Sequence, residues 1–147
     1  MPNFKLSIIT PEKPVLECEA EYVSLPAAGG QFGVMARHAP YAVQLTEGLL
    51  KYRKAGGEDG EFAVMGGFAE ICNNDVSVFA ESAELAEEIN EERQRQELQR
   101  SKDILASKSG EVDIEQVQTQ LRRAAVRLTL KNHALRRLPG RQGGRNA

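Results

Sequence analysis

The sequence lacks most features that would assign it to a secreted, membrane-spanning or nucleic-acid-binding class. Its two cysteines, Cys18 and Cys72, could form one disulfide, but nothing else indicates secretion, so we expect two reduced thiols in a cytosolic protein. No apolar run approaches the roughly 18 residues that a membrane-spanning helix needs. The N-terminus has no signal-peptide pattern, and a net charge of -2 gives no reason to expect a nucleic-acid partner.

Motifs for catalysis and metal binding are also missing. The chain has neither a G-x-x-x-x-G-K-[ST] phosphate loop nor the G-x-S-x-G turn of hydrolases. The two cysteines and two histidines lie too far apart in sequence to form a metal-binding motif. His38 could act as a general base, and a small hydrolase is one interpretation of it. Because no second catalytic residue type lies beside it, we expect a structural or interface role for His38.

Short apolar segments separated by turn residues fill the first 80 or so positions. Phe4–Thr10 begins with apolar and polar residues in alternation, which is typical of a half-buried strand. Turn residues follow at Gly29–Gly30, Thr46–Gly48 and Asn73–Asp75, and the polar, glycine-rich segment Ala55–Gly60 predicts a hairpin loop. With no helical period in this region, the pattern predicts an antiparallel β sandwich or barrel.

The period of the apolar residues changes at Ser82. Ser82 is followed by acids and predicts the start of a helix with a thin apolar stripe, which continues to about Ser107. Asp113 is a suitable N-cap for a second helix, about 39 Å long if it reaches Leu138. The apolar residues of that helix alternate three and four positions apart and form a heptad seam with Lys131 in one slot. The seam consists of Ile114, Val117, Leu121, Ala124, Leu128, Leu135 and Leu138.

We therefore expect a β-sandwich domain over residues 1–84, an antiparallel helical hairpin over 85–138 and a disordered tail over 139–147. Charge is divided unevenly between the helices: Glu81–Glu97 holds seven acids and two arginines, whereas the chain from Ile114 onward holds eight Lys and Arg against one acid. The basic helix could simply be exposed, or it could dock onto an acidic partner. The seam also allows a β-sandwich adaptor with a coiled-coil dimerisation arm.

A set of short motifs carries a family resemblance. In chain order these are Phe4-x-Leu6-x-Ile8-x-Thr10-Pro11-Glu12, Gly30-x-Phe32-Gly33-Val34, His38-Ala39-Pro40, Gly48, Val64-x-Gly66-Gly67-Phe68 and Ala80-Glu81-x-Ala83-Glu84. In this order and spacing the sequence resembles the epsilon subunit of the rotary proton-translocating ATP synthase, whose mitochondrial counterpart is called delta. The lack of a transit peptide indicates the bacterial form. The resemblance implies a non-catalytic subunit of the central stalk, peripheral at the cytoplasmic face of the bacterial plasma membrane.

The resemblance also implies partners for the sandwich. The family's sandwich packs against the gamma subunit and sits on the ring of c subunits. By position in the motifs, Gln31, Phe32, Arg37 and His38 match the surface that faces gamma and the ring. One departure is visible, since Met35-Ala36-Arg37 stands where the family often has Leu-Pro-Asn or a similar sequence.

For the helical hairpin, the resemblance implies contact with the catalytic head. The family's second helix binds the acidic loop of a beta subunit, next to alpha, and inhibits ATP hydrolysis. Arg122, Arg123 and Arg127 match that role by position. The hairpin of the family has a folded and an extended state, which makes it a two-state element of the kind that a switch requires.

Some bacterial members bind ATP through a helix pattern of Ile or Leu, Asp, two variable residues, Arg and Ala. The matching segment begins with Ile89 and keeps the arginine as Arg93, but the acid is replaced by Asn90 and the alanine by Gln94. Losing the carboxylate removes a strong acceptor, and the longer Gln94 crowds the site. We therefore expect no cofactor and weak or absent ATP binding.

Overall fold

Seven β-strands make up the N-terminal unit of the chain, Met1–Glu84. The structure is a computed structural model, and it describes residues 2–107 and 113–136. The strands are β1 (Phe4–Ile9), β2 (Pro14–Ala27), β3 (Gly30–Met35), β4 (Tyr41–Lys54), β5 (Asp59–Cys72), β6 (Asp75–Ala80) and β7 (Ala83–Glu84). The predicted β sandwich is confirmed, and the described residues of this unit contain no α-helix.

The first strand closes the sheet into a ring. β1 runs parallel to β6, with Lys5 opposite Asp75, and antiparallel to β2, with Phe4 opposite Ala20. β5 and β4 complete the circuit between β6 and β2, while β3 extends from β2 and β7 pairs with β5. The buried face of β1 follows the predicted alternation, and its side chains are at most 1% exposed at Phe4, Leu6 and Ile8. They contribute to the core that the ring encloses.

The predicted turn at Thr46–Gly48 is wrong, because β4 continues without a break from Tyr41 to Lys54. Gly48 pairs with Val64 of β5, and a Cβ atom at this position would overlap the side chain of Pro26 in β2. The glycine therefore permits a close approach of two neighbouring strands rather than a change of direction.

Two of the predicted turns are confirmed by the backbone. Asn73 and Asn74 join β5 to β6 with φ of 51° and 62°, and two positive φ values in succession are typical of a type I′ hairpin turn. The glycine-rich loop between β4 and β5 contains Gly56 and Gly57, both also with positive φ. A type I′ turn, as at Asn73 and Asn74, matches the right-handed twist of the strands on either side, which favours the antiparallel pairing of β5 and β6.

The C-terminal unit, Leu85–Ala147, contains a helical hairpin, so the second half of the predicted fold is also confirmed. A 3-10 turn over Ala86–Glu88 precedes α1 (Glu91–Ser107), and α2 (Ile114–Arg136) packs against α1. In the described part of the chain, neither helix is both long enough and apolar enough to cross a membrane. The proposed tail over 139–147 lies outside the described residues.

The predicted helix start at Ser82 is wrong. The residues after Ser82 form β7, with Ala83 opposite Val64, and the Ser82 carbonyl accepts a hydrogen bond from the Met65 amide at 3.0 Å. Asn90 caps α1 instead, since its Oδ1 accepts the Arg93 amide at 3.0 Å. Both Ser82 and Asn90 are of residue types that commonly cap helices. Ser82 does not cap a helix here, because the residues that follow it pair with β5 as β7.

The predicted cap of the second helix is correct, and its seam is only partly so. Asp113 Oδ1 accepts the Gln116 amide at 3.3 Å, as an N-cap should. Val117 and Ala124 are buried, but Ile114 is 58% exposed, and the buried Leu130 was not in the predicted seam. Leu121, Leu128 and Leu135 are half-buried, and Leu138 lies outside the described residues. The predicted seam repeats every 3.5 residues, whereas a straight α-helix has 3.6 residues per turn. The buried face therefore rotates gradually around α2 along its length.

Candidate functional site

Three aromatic rings form a cluster beside the turn between β3 and β4. The Phe32 ring stacks on the Tyr41 ring, with centroids 5.3 Å apart and planes 11° apart. The His38 ring meets Phe32 edge-on, with centroids 5.6 Å apart and planes 62° apart. Tyr41 is 55% exposed, so this cluster lies at the surface. Stacked and edge-on aromatic pairs of this kind hold the rings in a defined orientation.

Gln31 is held next to this cluster by a neighbouring strand. Its Oε1 accepts a hydrogen bond from Ser24 Oγ at 2.7 Å, and Ser24 is buried in β2. An open groove of about 360 Å³ follows this edge, and both Gln31 and Phe32 line it together with Tyr41. The structure thus brings Gln31, Phe32 and His38 into one region of the surface.

The backbone at Arg37 is in the left-handed region, with φ of 67°. Its side chain is exposed, and its amide donates to Asn74 Oδ1 at 2.8 Å. The next residue, His38, places Nδ1 2.7 Å from the Ala39 carbonyl oxygen. The turn between β3 and β4 is therefore fixed both by its own contacts and by the β5–β6 turn.

A second surface of the sandwich unit is apolar. Phe68 is 52% exposed and stacks on Phe79, with ring centroids 5.0 Å apart. These rings and Ile9, itself 36% exposed, line an open groove of about 440 Å³. Exposed apolar surface of this type is a common property of protein–protein contact sites.

The three candidate arginines of α2 do not all lie on one side of the helix. Arg123 and Arg127 are half-buried and four residues apart, so they share a face, and Arg122 lies about 100° around the helix from Arg123. Arg122 is exposed and donates from Nη2 to Thr119 Oγ1 at 3.1 Å. Arg127 donates from Nη1 to Gln94 Oε1 of α1 at 3.3 Å. Lys131, the polar residue in the predicted seam, donates to the Ala86 carbonyl at 3.0 Å.

The segment matched to the ATP-binding pattern is occupied by contacts within the hairpin. Ile89 is buried and Arg93 is exposed, so these two retained residues do not face the same environment. The carboxamide of Asn90 caps α1, and the side chain of Gln94 is buried with its oxygen bound to Arg127. Both departures from the pattern therefore have structural roles in this chain.

Burial shifts the pKa of two groups elsewhere on the sandwich. Burial raises the pKa of the Tyr52 phenol above its ordinary value, and the neighbouring Cys18 thiol contributes in the same direction. The pKa of the Cys18 thiol is also raised by burial, partly offset by the positive charge of Lys54. Neither residue lies in the aromatic cluster or in the apolar groove, so these shifts do not point to a catalytic centre there.

Comparison with known proteins identifies the family. The family model for the β-sandwich domain of the ATP synthase delta/epsilon chain matches residues 3–86, and the model for its long α-helix domain matches residues 87–132. The chain belongs to the ATP synthase delta/epsilon family. The predicted resemblance is thus confirmed for both halves of the fold. Members of this family are non-catalytic subunits of the ATP synthase complex.

Curated members of the delta/epsilon family match over most of their length. The ATP synthase epsilon chain of Nitratidesulfovibrio vulgaris is 41% identical over 132 residues, which is 90% of this chain and 98% of the relative. The ATP synthase epsilon chain of Gloeobacter violaceus is 38% identical, covering 84% of this chain and 93% of the relative. The chain of Propionigenium modestum, named sodium ion specific, is 35% identical and covers 94% of this chain and 100% of the relative.

A solved structure shares the fold of this delta/epsilon chain at low sequence identity. One chain in the structure of the Euglena gracilis mitochondrial ATP synthase, described as containing OSCP, F1 and the c-ring, superposes with a TM-score of 0.72 at 22% identity. The match covers 92% of this chain and 83% of that one. The likeness supports the arrangement of a sandwich followed by helices.

In the part of the chain that the structure describes, the surroundings of His38 give the hydrolase interpretation no support. The His38 ring contacts the Phe32 ring and the Ala39 carbonyl, neither of which is an acid or a nucleophile. Over residues 2–107 and 113–136, no group of three or more His, Cys, Asp or Glu side chains could hold a metal ion. His38 is instead part of an aromatic surface, which suits an interface role.

Sequence reasoning missed three residues near the candidate surfaces. Tyr41 completes the aromatic cluster, and its place directly after His38-Ala39-Pro40 could have indicated this. Asn74 binds the turn at Arg37 from 37 positions away, and no local pattern predicts that contact. Gln94 was noted only as a departure from the ATP pattern, whereas in the structure it is the acceptor for Arg127.

Proposed function

We propose that this delta/epsilon chain is a central-stalk subunit that joins the gamma subunit to the c ring and restrains ATP hydrolysis through its helical hairpin. It would act at the cytoplasmic face of the bacterial plasma membrane, held there by the complex. The observation that carries the proposal is the division of the chain into a sandwich unit with exposed aromatic surfaces and a second unit that contains a basic helix. The two units suit two different kinds of partner.

The sandwich unit provides the coupling contacts in this proposal. Gln31 and Phe32 line the groove at one edge of the sheet, and Arg37 and His38 follow in the adjacent turn. Exposed aromatic rings and arginine are the residue types enriched at protein interfaces. We assign this surface to gamma and the c ring, and the apolar groove around Phe68 to the gamma subunit.

The basic helix provides the inhibitory contacts. Arg122, Arg123 and Arg127 would bind acidic residues of a beta subunit, with alpha alongside, and hold the catalytic head in a state that does not hydrolyse ATP. Arg127 now donates to the neutral amide oxygen of Gln94. A carboxylate is a stronger acceptor than an amide oxygen, so an acidic partner could draw this arginine away from the hairpin.

The test is ATP hydrolysis by the reconstituted catalytic head with gamma. The full chain is compared with a chain that ends at Glu84, because β7 pairs with β5 and belongs to the sandwich unit. We expect truncation to raise hydrolysis while the shortened chain still co-purifies with gamma. Unchanged hydrolysis on truncation would reject the inhibitory role. Failure of the full chain to bind gamma would reject the assignment to the central stalk.

A charge variant tests whether the three arginines, rather than the helices as a whole, cause the inhibition. Replacing Arg122, Arg123 and Arg127 with glutamine should raise hydrolysis as truncation does. The matched control replaces Arg95, Arg100 and Lys102 of α1 with glutamine, three exposed cations that change the net charge equally. Equal effects of the two triple variants would show a general charge effect and contradict a specific contact through α2.

The coiled-coil adaptor has less support than this function. The buried residues of α2, including Val117 and Ala124, lie on a helix that already packs against α1 of the same chain. A dimer through the same seam would have to displace α1. Equilibrium sedimentation of the full chain tests this alternative, which requires a tight homodimer.

A further inference from the structure

We propose that Asn74 is the positioning residue for the Arg37–His38 turn, and that it fixes this turn to the N-terminal strand. Three segments that are distant in sequence meet at its side chain and backbone. The inference rests on the proposed function, because the turn is part of the surface that we assign to gamma and the c ring.

The contacts of Asn74 are short and come from both ends of its carboxamide. Its Oδ1 accepts the Arg37 amide at 2.8 Å, and its Nδ2 donates to the Asn3 carbonyl oxygen at 2.7 Å. Its own carbonyl accepts the Lys5 amide at 3.2 Å. Asn74 therefore joins the start of β1, the β3–β4 turn and the β5–β6 turn.

These contacts require a carboxamide at this position. The Arg37 amide can only donate and the Asn3 carbonyl can only accept, so the bridging side chain must offer an acceptor and a donor together. Aspartate would supply the acceptor alone, and alanine would supply neither. The backbone adds a further condition, because φ is 62° at Asn74, and asparagine tolerates this left-handed conformation better than most residues.

Fixing the Arg37 amide also fixes the direction of the chain at His38. Arg37 itself is left-handed, so a small change in its backbone would redirect the residue that follows. His38 is edge-on to Phe32, and Phe32 stacks on Tyr41. The hydrogen bond between Asn74 and the Arg37 amide thus holds His38 against the aromatic cluster. In this way Asn74 shapes the proposed binding surface, although it is not one of the residues assigned to contact a partner.

The experiment compares two glycine variants in the same turn. Asn74→Gly keeps the positive φ and removes the carboxamide that binds Arg37 and Asn3. Asn73→Gly removes the carboxamide of the neighbouring turn residue, which has φ of 51°. We expect Asn74→Gly to speed hydrogen exchange at the Arg37 amide of the full chain roughly fivefold to tenfold. We expect its affinity for the gamma subunit to fall by a similar factor, and Asn73→Gly to change neither quantity.

A conservative variant tests the bond itself. Asn74→Asp retains the acceptor for the Arg37 amide but replaces the donor to the Asn3 carbonyl with an oxygen. Exchange at Arg37 should therefore be slower than in Asn74→Gly and faster than in the original chain, with gamma affinity between those of the two. Partial rescue by aspartate would show that the bond to the Arg37 amide contributes independently of the bond to Asn3, whereas no rescue at all would contradict that contribution. Urea unfolding of each variant confirms that the compared chains are folded.

The outcomes separate this inference from the proposed function. Unchanged exchange at Arg37 in Asn74→Gly, or equal effects of the two glycine variants, would overturn the role of Asn74. His38→Ala reports on the surface independently. If Asn74→Gly speeds exchange but neither it nor His38→Ala weakens gamma binding, positioning by Asn74 is supported and the assignment of this surface to gamma is overturned.

Discussion

Arg37 has a backbone conformation that suits a different side chain. Its φ of 67° lies in the left-handed region, which costs an L-residue with a long side chain roughly 1–2 kcal/mol and asparagine less. The resemblance implies asparagine at this position in many relatives. Asparagine would suit this conformation, since a short polar side chain can form local hydrogen bonds in it.

We expect Arg37→Asn to raise the free energy of unfolding by about 0.5–1 kcal/mol, because it relieves part of this backbone cost. Urea denaturation of the sandwich unit measures the change. Lys51→Asn is the matched control, since Lys51 is exposed in β4 with an ordinary extended backbone and should gain nothing. A loss of stability in Arg37→Asn would contradict the argument from strain.

Two neighbouring glycines in β5 allow backbone strain and steric overlap to be told apart. Gly66 and Gly67 have φ of 80° and 116°. The atoms nearest to a Cβ atom at Gly66 would be those of the flexible Glu81 carboxylate, from 3.5 Å, whereas a Cβ atom at Gly67 would overlap the Phe79 carbonyl oxygen. The second contact is with the backbone of β6, which cannot move without breaking the pairing of β5 and β6.

Gly67→Ala should therefore be much more destabilising than Gly66→Ala. We expect a loss of about 3 kcal/mol or more for Gly67→Ala and about 1–2 kcal/mol for Gly66→Ala. The midpoints of thermal or urea unfolding provide the measurement. Gly29→Ala, in the β2–β3 turn with open space around it, is the control. Similar losses at positions 66 and 67 would show that overlap with β6 is not the deciding factor.

At the scale of the element, the helical hairpin is held together by polar contacts as well as apolar ones. The side chain of Gln94 is buried in α1 and accepts a hydrogen bond from Arg127, 33 positions away. Asn90, at the N-terminus of the same helix, is committed to capping it. These are the two positions at which the segment departs from the ATP-binding pattern of its family, and both strengthen the hairpin without a ligand.

We expect the original chain to show no ATP binding tighter than about 1 mM by titration calorimetry, and the double variant Asn90→Asp, Gln94→Ala to bind at least tenfold more tightly. The aspartate adds a charged acceptor and can still cap α1, and the Gln94→Ala change restores the small residue that the ATP-binding pattern has at this position. The control is Asn132→Asp with Gln120→Ala, which makes the same two kinds of substitution at exposed positions of α2. Micromolar affinity in the original chain would contradict the prediction.

The limits of prediction from sequence are clearest in the strands and the helix starts. Alternation in β1 correctly predicted which residues are buried, because a strand with one buried face must alternate. Gly48 was wrongly interpreted as a turn, because a glycine that makes room for Pro26 has the same local sequence pattern as one that bends the chain. Ser82 and Asn90 are both capping residues, and only the pairing of β7 with β5 decides between them.

The candidate surface was predictable only where its residues are close in sequence. Phe32 and His38 lie on either side of one turn, so their proximity follows from the strand–turn–strand pattern. The bond from Asn74 to Arg37 depends on how the two turns come together at one end of the ring. Such a contact is set by sheet closure, which local patterns do not contain.

At the scale of the whole molecule, ionisable groups in the sandwich make stability depend on pH. Burial raises the pKa of Tyr52 above its ordinary value of 10.0, and that of Cys18 above 9.0. Between the unfolded and folded pKa values, the unfolded state binds fewer protons than the folded one. Stability from these groups is therefore complete below pH 9 and falls as the pH rises through the folded pKa values.

Tyr52→Phe should reduce this alkaline loss of stability. The phenyl ring keeps the stacking on Phe62 and still covers Gly60, where a side chain would overlap the Tyr52 ring. We expect the variant and the original chain to have similar pH dependence around pH 7 and the variant to lose less stability between pH 9 and pH 11. Thermal unfolding across this range, with Cys18→Ala as the companion variant, provides the measurement. An identical alkaline slope in both chains would contradict the assignment.

The closure of the ring by β1 has a consequence for how the protein is made. The first strand to leave the ribosome finds one partner in β2, but its other partner, β6, begins at Asp75, 70 positions after Lys5. At about 5–20 residues per second, translation of that interval takes roughly 4–14 s. The nascent chain thus carries β1 with one edge uncovered for seconds, a period in which a chaperone or a neighbouring nascent chain could bind it. Synonymous codons that slow translation between β2 and β6 would lengthen this period, so the yield of folded subunit would depend on translation speed.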